Sequence, residues 1–362
     1  STTVGLPQGT APRTVAAWVK TTQGTIGNIV SWGRRALNKR NGVAVRNGSI
    51  AFIGEGNDLT GNITINDGSW HHVVCTYDGT ALVLYVDGVL DVSSNTVLNT
   101  TDQNLRIGTI SLPSSGESYV GSMDEVRIWN IALTESQIRE NMHLTLKGNE
   151  AGLIAYYQYN NDDAVGTASG VKDAKGTNHG TTVNMVAADY IASEVAVAGG
   201  TSDRLSVPAG AGTSNFVNTD IDITFGSTSP DGEIVVYRLE TEKPHGWSTL
   251  SGDVDNEYFV VRNFGSNTSF SPLVDITLNR LNYISPSDVG LAQSSSPINL
   301  YKRASNAFGS WGTSWGGSDN GIAGTNGSIG YNSANNITSF SQIVIVNSGP
   351  NTLLSGPNAL LP

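Results

Sequence analysis

The chain of 362 residues has a single cysteine, Cys75. A lone thiol excludes an intrachain disulfide and any zinc site built on several cysteines. Charge is scarce as well: Asp, Glu, Lys and Arg make up 14% of the residues, against about a quarter in an ordinary soluble domain. Basic residues are the scarcer kind, 20 Lys and Arg against 31 Asp and Glu, for a net charge of −11. Nucleic acids and anionic membrane surfaces are both held by clustered Lys and Arg, so neither is an expected partner. No stretch approaches the ~20 consecutive apolar residues of a membrane-spanning helix.

What is present is enough for a core. Apolar residues account for 38% of the chain, and there are 42 glycines. At roughly 100–200 residues per domain, the length predicts two domains. Asn, Ser, Thr and Gly fill the surface in place of charge, a composition that fits an extracellular bacterial protein better than a cytosolic one.

Nearly every apolar run is short, β-rich and bounded by Gly, Asn, Asp or Ser. Runs at 14–19, 28–31, 42–45, 49–53, 71–77, 81–86, 105–107 and 125–129 predict an all-β sandwich or barrel. Asp78-Gly79 and Asp87-Gly88 are favoured hairpin dipeptides, so three antiparallel strands follow one another from Trp70 onward. Both faces of these strands are apolar, as in a sheet covered on both sides. One helix stands out. Thr134-Glu-Ser-Gln137 is a capping box, and Leu133 with Ile138 makes the matching hydrophobic staple. Ile138, Met142 and Leu146 continue an apolar stripe, predicting a short lid on one edge of the sandwich.

Composition changes after Ser193. Residues 196–212, rich in Ala, Gly, Ser and Thr, read as a linker between domains 1–195 and 213–362. Strands then resume at 221–225, 233–239, 257–263, 274–278, 299–303 and 339–346, predicting a second, smaller β-sandwich. Between them, residues 309–330 form a Gly/Ser/Asn-rich stretch carrying Trp311 and Trp315. The two halves share no period that would make them repeats.

Several segments of the first half resemble the bacterial laminin-G-like, or concanavalin A-like, jelly-roll family. They are Arg13-Thr-Val-Ala-Ala-Trp-Val-Lys20, Asp67-Gly-Ser-Trp-His-His-Val73, Tyr77-Asp-Gly79, Leu84-Tyr-Val-Asp-Gly88 and Leu105-Arg-Ile-Gly108. Two more, Gly121-Ser-Met-Asp-Glu-Val-Arg-Ile-Trp-Asn130 and Leu133-Thr-Glu-Ser-Gln-Ile138, follow in the family's order. Gly152-Leu-Ile-Ala-Tyr-Tyr157 through Asn178-His-Gly180 is similar to its closing segment. Members of the family carry a further strand ahead of the position of Ser1, and an unpaired sheet edge is expected where it is lacking. The second half is similar to β-sandwich domains near the C-termini of large surface and secreted proteins of the Bacteroidota. That resemblance rests on Val254-Asp-Asn-Glu-Tyr-Phe259 with Asn263, Ile298-Asn-Leu-Tyr-Lys-Arg303 and Ile337-Thr-Ser-Phe-Ser341.

The resemblance implies a structural calcium site with Asp124 as ligand, at the entry to a strand. One strand-edge carboxylate plus backbone carbonyls can supply most of the six to eight oxygens that calcium wants. The other reading is a carboxylate that caps a turn or pairs with Arg127. His71 and His72 look like a metal pair, but neighbours on a strand point to opposite faces, and packing is the expected role. Glycoside hydrolases share the fold and need two carboxyl groups on facing positions. The Glu-x-Asp-x-(x)-Glu strand spacing of the jelly-roll hydrolases is missing here, and so is a Gly-x-Ser-x-Gly elbow between strand and helix; no catalytic residue is assigned.

Aromatic residues in or beside predicted loops, Trp32, Tyr119, Trp247, Trp311 and Trp315, are candidates for stacking on sugar rings, or else pack beneath those loops. Trp18, Trp70 and Trp129 fall in family core motifs. Cys75, mid-strand among apolar neighbours, reads as a small buried hydrophobe. Together these readings predict a non-enzymatic extracellular adhesion or structural protein of a bacterial surface, with a carbohydrate-binding module of a polysaccharide-degrading system as the alternative. Expected partners are a glycan or another surface protein. Further copies of the chain could join by strand addition at the open edge, donated by residues 351–362 or 1–6, to build a filament.

Overall fold

The structure is a computed structural model. It describes residues 4–101, 105–110, 116–160, 170–240, 243–250, 253–268, 275–278, 298–303, 311, 320–323, 328–331 and 342–347. The chain divides into two compact units, one of residues 1–142 and 146–195, the other of 143–145 and 196–362. Both are built from antiparallel sheets. No helix among the described residues is long and apolar enough to cross a membrane.

The first unit carries, in chain order, β1 (Arg13–Lys20), β2 (Gly27–Gly33), β3 (Arg40–Arg46), β4 (Ser49–Ile53), β5 (Leu59–Thr64) and β6 (Trp70–Tyr77). There follow β7 (Ala81–Val86), β8 (Val89–Asn95), β9 (Arg106–Ile107), β10 (Ser122–Trp129), helix α1 (Glu135–Asn141) and β11 (Leu153–Tyr157). One sheet has the order β11-β10-β1-β6-β7-β8 and the other β5-β4-β3-β2-β9. Inward side chains of both meet in one core, among them Val15, Val73, Leu84 and Ile128 from the first sheet and Ile29, Val45 and Phe52 from the second. Alternation along each strand puts these residues on one face. The β6–β7 hairpin closes through the three-residue loop 78–80, and Asp87-Gly88 makes the tight turn expected of it. Asp87 and Gly88 both have positive φ, 52° and 79°, as a two-residue turn between twisted strands demands. Cys75 is buried in the core, and desolvation pushes its thiol pKa up to about 12.

The capping box forms: Gln137 N–H donates to the Thr134 hydroxyl at 3.3 Å, and Thr134 N–H donates to Gln137 Oε1 at 2.9 Å. Leu133 and Ile138 join Ala16, Val74, Tyr85, Trp129 and Tyr156 in a second apolar cluster. Helix α1 therefore covers the outer face of the six-stranded sheet, where an edge position was expected. The apolar outer face of β6 and β7 is the reason: Val74 and Tyr85 need a cover, and the stapled helix provides it.

The unpaired edge is not found at β11 either. Asp173 Oδ1 accepts from Tyr156 N–H at 2.8 Å, Ala174 N–H donates to Tyr156 O at 2.8 Å, and Asn178 Nδ2 donates to Ile154 O at 3.1 Å. Asn178 also exchanges two hydrogen bonds with the backbone of Val4. The chain's own residues 171–180 thus satisfy outward-facing groups of β11 and cover, at this edge, the template that strand addition uses. Of the donor segments considered, 351–362 and 1–3 lie outside the described residues.

The second unit contains β12 (Gly200–Val207), β13 (Gly212–Phe216), β14 (Ile221–Phe225), β15 (Gly232–Leu239), β16 (Asp253–Asn263) and β17 (Asp275–Leu278). It continues with β18 (Ile298–Arg303), β19 (Asn320–Ala323), β20 (Ser328–Tyr331) and β21 (Gln342–Asn347). Its sheets run β12-β15-β16-β21-β18 and β13-β14-β17-β20-β19. Residues 196–212, read as a linker, instead carry β12, which pairs along its whole length with β15 from Gly200↔Leu239 to Val207↔Gly232. As the sheet's outermost strand it is mostly solvated, so its sequence holds few apolar residues and mimics a connection.

His71 is held at both ring nitrogens, Nδ1 2.8 Å from Asp87 Oδ2 and Nε2 3.2 Å from Asp67 Oδ1. Burial opposes its protonation, but the two carboxylates outweigh that and hold its pKa above the ordinary value. The clamp therefore contributes fully below the unfolded-state pKa of about 6.5, and is lost as pH rises through the higher folded value. In urea titrations, the stability lost in His71→Gln is expected to be largest between about pH 5 and 6 and to shrink above neutrality. Thr134→Ala, which removes the helix cap, is expected to cost about 1 kcal/mol in the same measurement.

Candidate functional site

Asp124 sits at a fault in β10. Across the β1–β10 ladder the register runs Ala16↔Arg127 and then Trp18↔Asp124, so Glu125 and Val126 together oppose Ala17. This is a β-bulge, and Glu125 takes the left-handed conformation it requires, at φ 53°. In a regular strand Asp124 would share the inward face of Val126 and Ile128. The extra residue changes the parity: Met123 packs against the core with Val126 and Ile128, and Asp124 is turned out of it. Strand entry is fixed by Gly121 at φ 148°, where a Cβ would lie 2.3 Å from Lys20 O.

Glu125 anchors the bulge on the outer side. Its carboxylate takes short hydrogen bonds from Arg127 and from the Tyr156 hydroxyl. Arg127 also donates to Asn141 O at 2.9 Å, at the end of α1, and its guanidinium lies 5.1 Å from the Tyr156 ring centroid. Asp124 and Glu125 are adjacent in sequence yet serve different surroundings. Glu125 is locked into an ion pair beneath the helix, while Asp124 faces a pocket.

That pocket has a volume of about 300 Å³. Ser122, Met123 and Asp124 supply one side and Trp70, at the start of β6, another. Gln158, Tyr159 and Asn160, just beyond β11, and the run from Tyr190 to Ser193 complete it. The last run is tied down: Glu194 accepts from Lys20 Nζ at 2.6 Å and from Trp70 Nε1 at 3.4 Å, and the Tyr190 hydroxyl donates to Gly170 O at 3.0 Å. Tyr159 has φ 53°, a left-handed conformation uncommon for so large a residue. Asp124 is 9% exposed, and one of its oxygens accepts the Glu125 N–H at 2.9 Å. Desolvation, and then the negative charge of Glu125, push its pKa up to about 7, against the hydroxyl of Ser193, the Glu125 N–H and the charge of Arg127.

Asp124 stands with Ser122, Gln158, Asn160 and Ser193 in the pocket wall, so a calcium ion there would take one carboxylate together with amide, hydroxyl and backbone oxygens. Among the described residues, Asp124 is the one acid lining the pocket, Glu125 is committed to Arg127 and Tyr156, and no group of three or more His, Cys, Asp or Glu is placed to hold a metal.

The aromatic candidates separate by burial. Trp32 is 1% exposed, lies in the core and donates from Nε1 to Pro7 O at 3.2 Å. Tyr119 is also a core residue, its hydroxyl shared between Lys20 O and Ser122 O at 3.1 and 3.0 Å. Trp311 is buried under Arg303, 4.2 Å from the ring centroid. All three pack rather than present a face. Trp247 is 42% exposed and carries Lys243 Nζ 4.3 Å from its ring centroid; Trp315 lies outside the described residues. Trp70 was read as core. It is buried, but it also lines the pocket. The sequence reading missed Tyr159, Tyr190, Gln158 and Asn160. Their signal was the excess of Tyr and amide residues around the end of the first unit.

Residues 2–139 match a laminin G family model described as the concanavalin A-like lectin/glucanases superfamily. That stretch is a laminin-G-like, concanavalin A-like jelly-roll domain. A rat protein, sushi, von Willebrand factor type A, EGF and pentraxin domain-containing protein 1, is 27% identical over 113 residues, which cover 26% of this chain and 3% of that protein. A Bacteroides ovatus protein described as carbohydrate-binding is similar at 22% identity and a TM-score of 0.41, over 50% of this chain and 54% of its own. Domain 4 of an extracellular arabinanase from Geobacillus stearothermophilus, solved with arabinotriose, is similar at 25% identity and a TM-score of 0.31, over 37% and 68%. The chain thus spans about half of the Bacteroides protein and a small fraction of the rat one.

With one carboxylate among the described donors, millimolar calcium is expected to shift the melting temperature by less than about 2 °C, below the scale of 1 kcal/mol. A larger rise that disappears in Asp124→Asn would put the ion back at this position.

Proposed function

We propose that this protein is a non-enzymatic, extracellular adhesion protein whose first domain binds carbohydrate in the Asp124 pocket. The observation that carries this reading is the composition of the pocket wall: aromatic rings of Trp70, Tyr159 and Tyr190, side-chain amides of Gln158 and Asn160, and one carboxylate. Aromatic faces stack on the C–H faces of sugars, and amides and carboxylates pair with their hydroxyls; small-ligand sites combine an apolar wall with a few placed polar groups in this way. The membership of residues 2–139 in a lectin and glucanase superfamily supports binding of this class, while the fold alone assigns no function.

Against catalysis stands the count of acids. Hydrolysis of a glycosidic bond needs two carboxyl groups ~5–9.5 Å apart, and among the described residues Asp124 is the one acid that lines the pocket. Against a filament built by strand addition stands the covered outer edge of β11. The low charge and the Asn/Ser/Thr-rich surface support an extracellular setting.

The test is a glycan array probed with the full chain, with calcium and with chelator, alongside Ala192→Trp. Residue 192 lines the pocket and is itself exposed, so the indole fills the site without entering the core. Binding to one sugar class, lost in Ala192→Trp and unchanged by chelator, is the expected result. Uniform silence would return the chain to a scaffold role, and release of reducing ends from polysaccharide would make it an enzyme.

A further inference from the structure

We infer that the pocket holds a single uncharged sugar residue, at a chain end or side branch, and discriminates against acidic sugars. The inference rests on the reading of this pocket as a sugar site and goes on to name the class of sugar.

Charge is the first argument. Among the described residues, Asp124 is the one carboxylic acid in the wall, and no lysine, arginine or histidine lines it. Proteins recognise carboxylates, sulfates and phosphates with arginine forks or with lysine. The cations close by are committed elsewhere: Lys20 to Glu194, and Arg127 to Glu125. A uronic acid, sialic acid or sulfated sugar would thus lose water without gaining a counter-charge, beside a buried carboxyl group. Such like-charge placement is the means by which wrong ligands are rejected.

A neutral sugar meets the opposite situation. The amides of Gln158 and Asn160 each offer both donor and acceptor groups, as pairs of adjacent hydroxyls require. The carboxyl group of Asp124 lines the same wall and accepts from a sugar hydroxyl. The rings of Tyr159 and Tyr190 supply the apolar wall.

Size is the second argument. At about 300 Å³ the pocket is at the small end of the ~300–1,000 Å³ range of ligand sites. It is bounded along one side by the tethered run ending at Glu194. One sugar ring fits such a space, and the rest of a polysaccharide must leave through the mouth.

Matched pairs test this with the full chain by titration calorimetry: glucose against glucuronate, galactose against galacturonate, and lactose against sialyllactose. The neutral member of at least one pair is expected to bind, and its acidic partner at least about tenfold more weakly. Asp124→Asn, which keeps the shape and removes the charge, is expected to narrow that gap, and Ala192→Trp to abolish both. An acidic member that binds as tightly as its neutral partner, and is lost in Ala192→Trp, overturns the inference while sparing the sugar site. Silence across the panel, or binding that Ala192→Trp leaves intact, overturns the sugar site itself.

Discussion

The left-handed turn of the backbone at Glu125 is the constraint on which the pocket depends. A strand with period two sends alternate side chains to opposite faces, and a shift of one residue exchanges those faces. In β10 the shift occurs inside the strand. On its C-terminal side, Val126 and Ile128 fill the core; on its N-terminal side, Met123 takes that role and Asp124 is released to the pocket. The conformation is unfavourable for a residue with a Cβ, and it is held by what Glu125 gains. Its carboxylate is met by Arg127 and Tyr156, and Arg127 in turn ties the strand to α1. The helix that covers the outer face of the sheet thus also fixes the bulge.

Two neighbouring carboxylates are resolved into different roles by this geometry. Glu125 has a cation and a hydroxyl and behaves as a structural ion. Asp124 is equally removed from bulk water but faces polar groups without a formal positive charge among the residues lining its pocket, so burial dominates and its proton is held more tightly than in an exposed carboxyl. The proposed binding chemistry follows from the environment built around the acid, and the laminin-G-like fold serves as the scaffold on which that environment is assembled.

The same economy is seen at the sheet edge. Asp173 and Asn178 satisfy outward-facing backbone groups of β11, and in doing so they hold the path of the chain just beyond the residues that enter the pocket wall. Edge protection and site construction are carried out by the same closing segment. The capping of β11 was not legible beforehand, because side-chain capping of an edge leaves no periodic trace in a sequence.

Much of the architecture was legible from local signals. Val73, Cys75 and Tyr77 alternating with Val74 and Thr76, the Asp87-Gly88 turn, and the Thr134–Gln137 cap each depend on residues a few positions apart, and each formed as expected. The strand β12 was misread because a solvated outer strand has almost no apolar period. Asp124 was singled out from its motif, yet nothing local shows that Tyr159 and Tyr190 stand beside it, or that Trp32, Tyr119 and Trp311 are sealed away. Short-range chemistry determines turns, caps and strands, and these the amino-acid sequence carried by itself. Which side chains meet is decided by registers between strands far apart in the chain, above all by the one extra residue in β10, and that was settled only when the sheets paired.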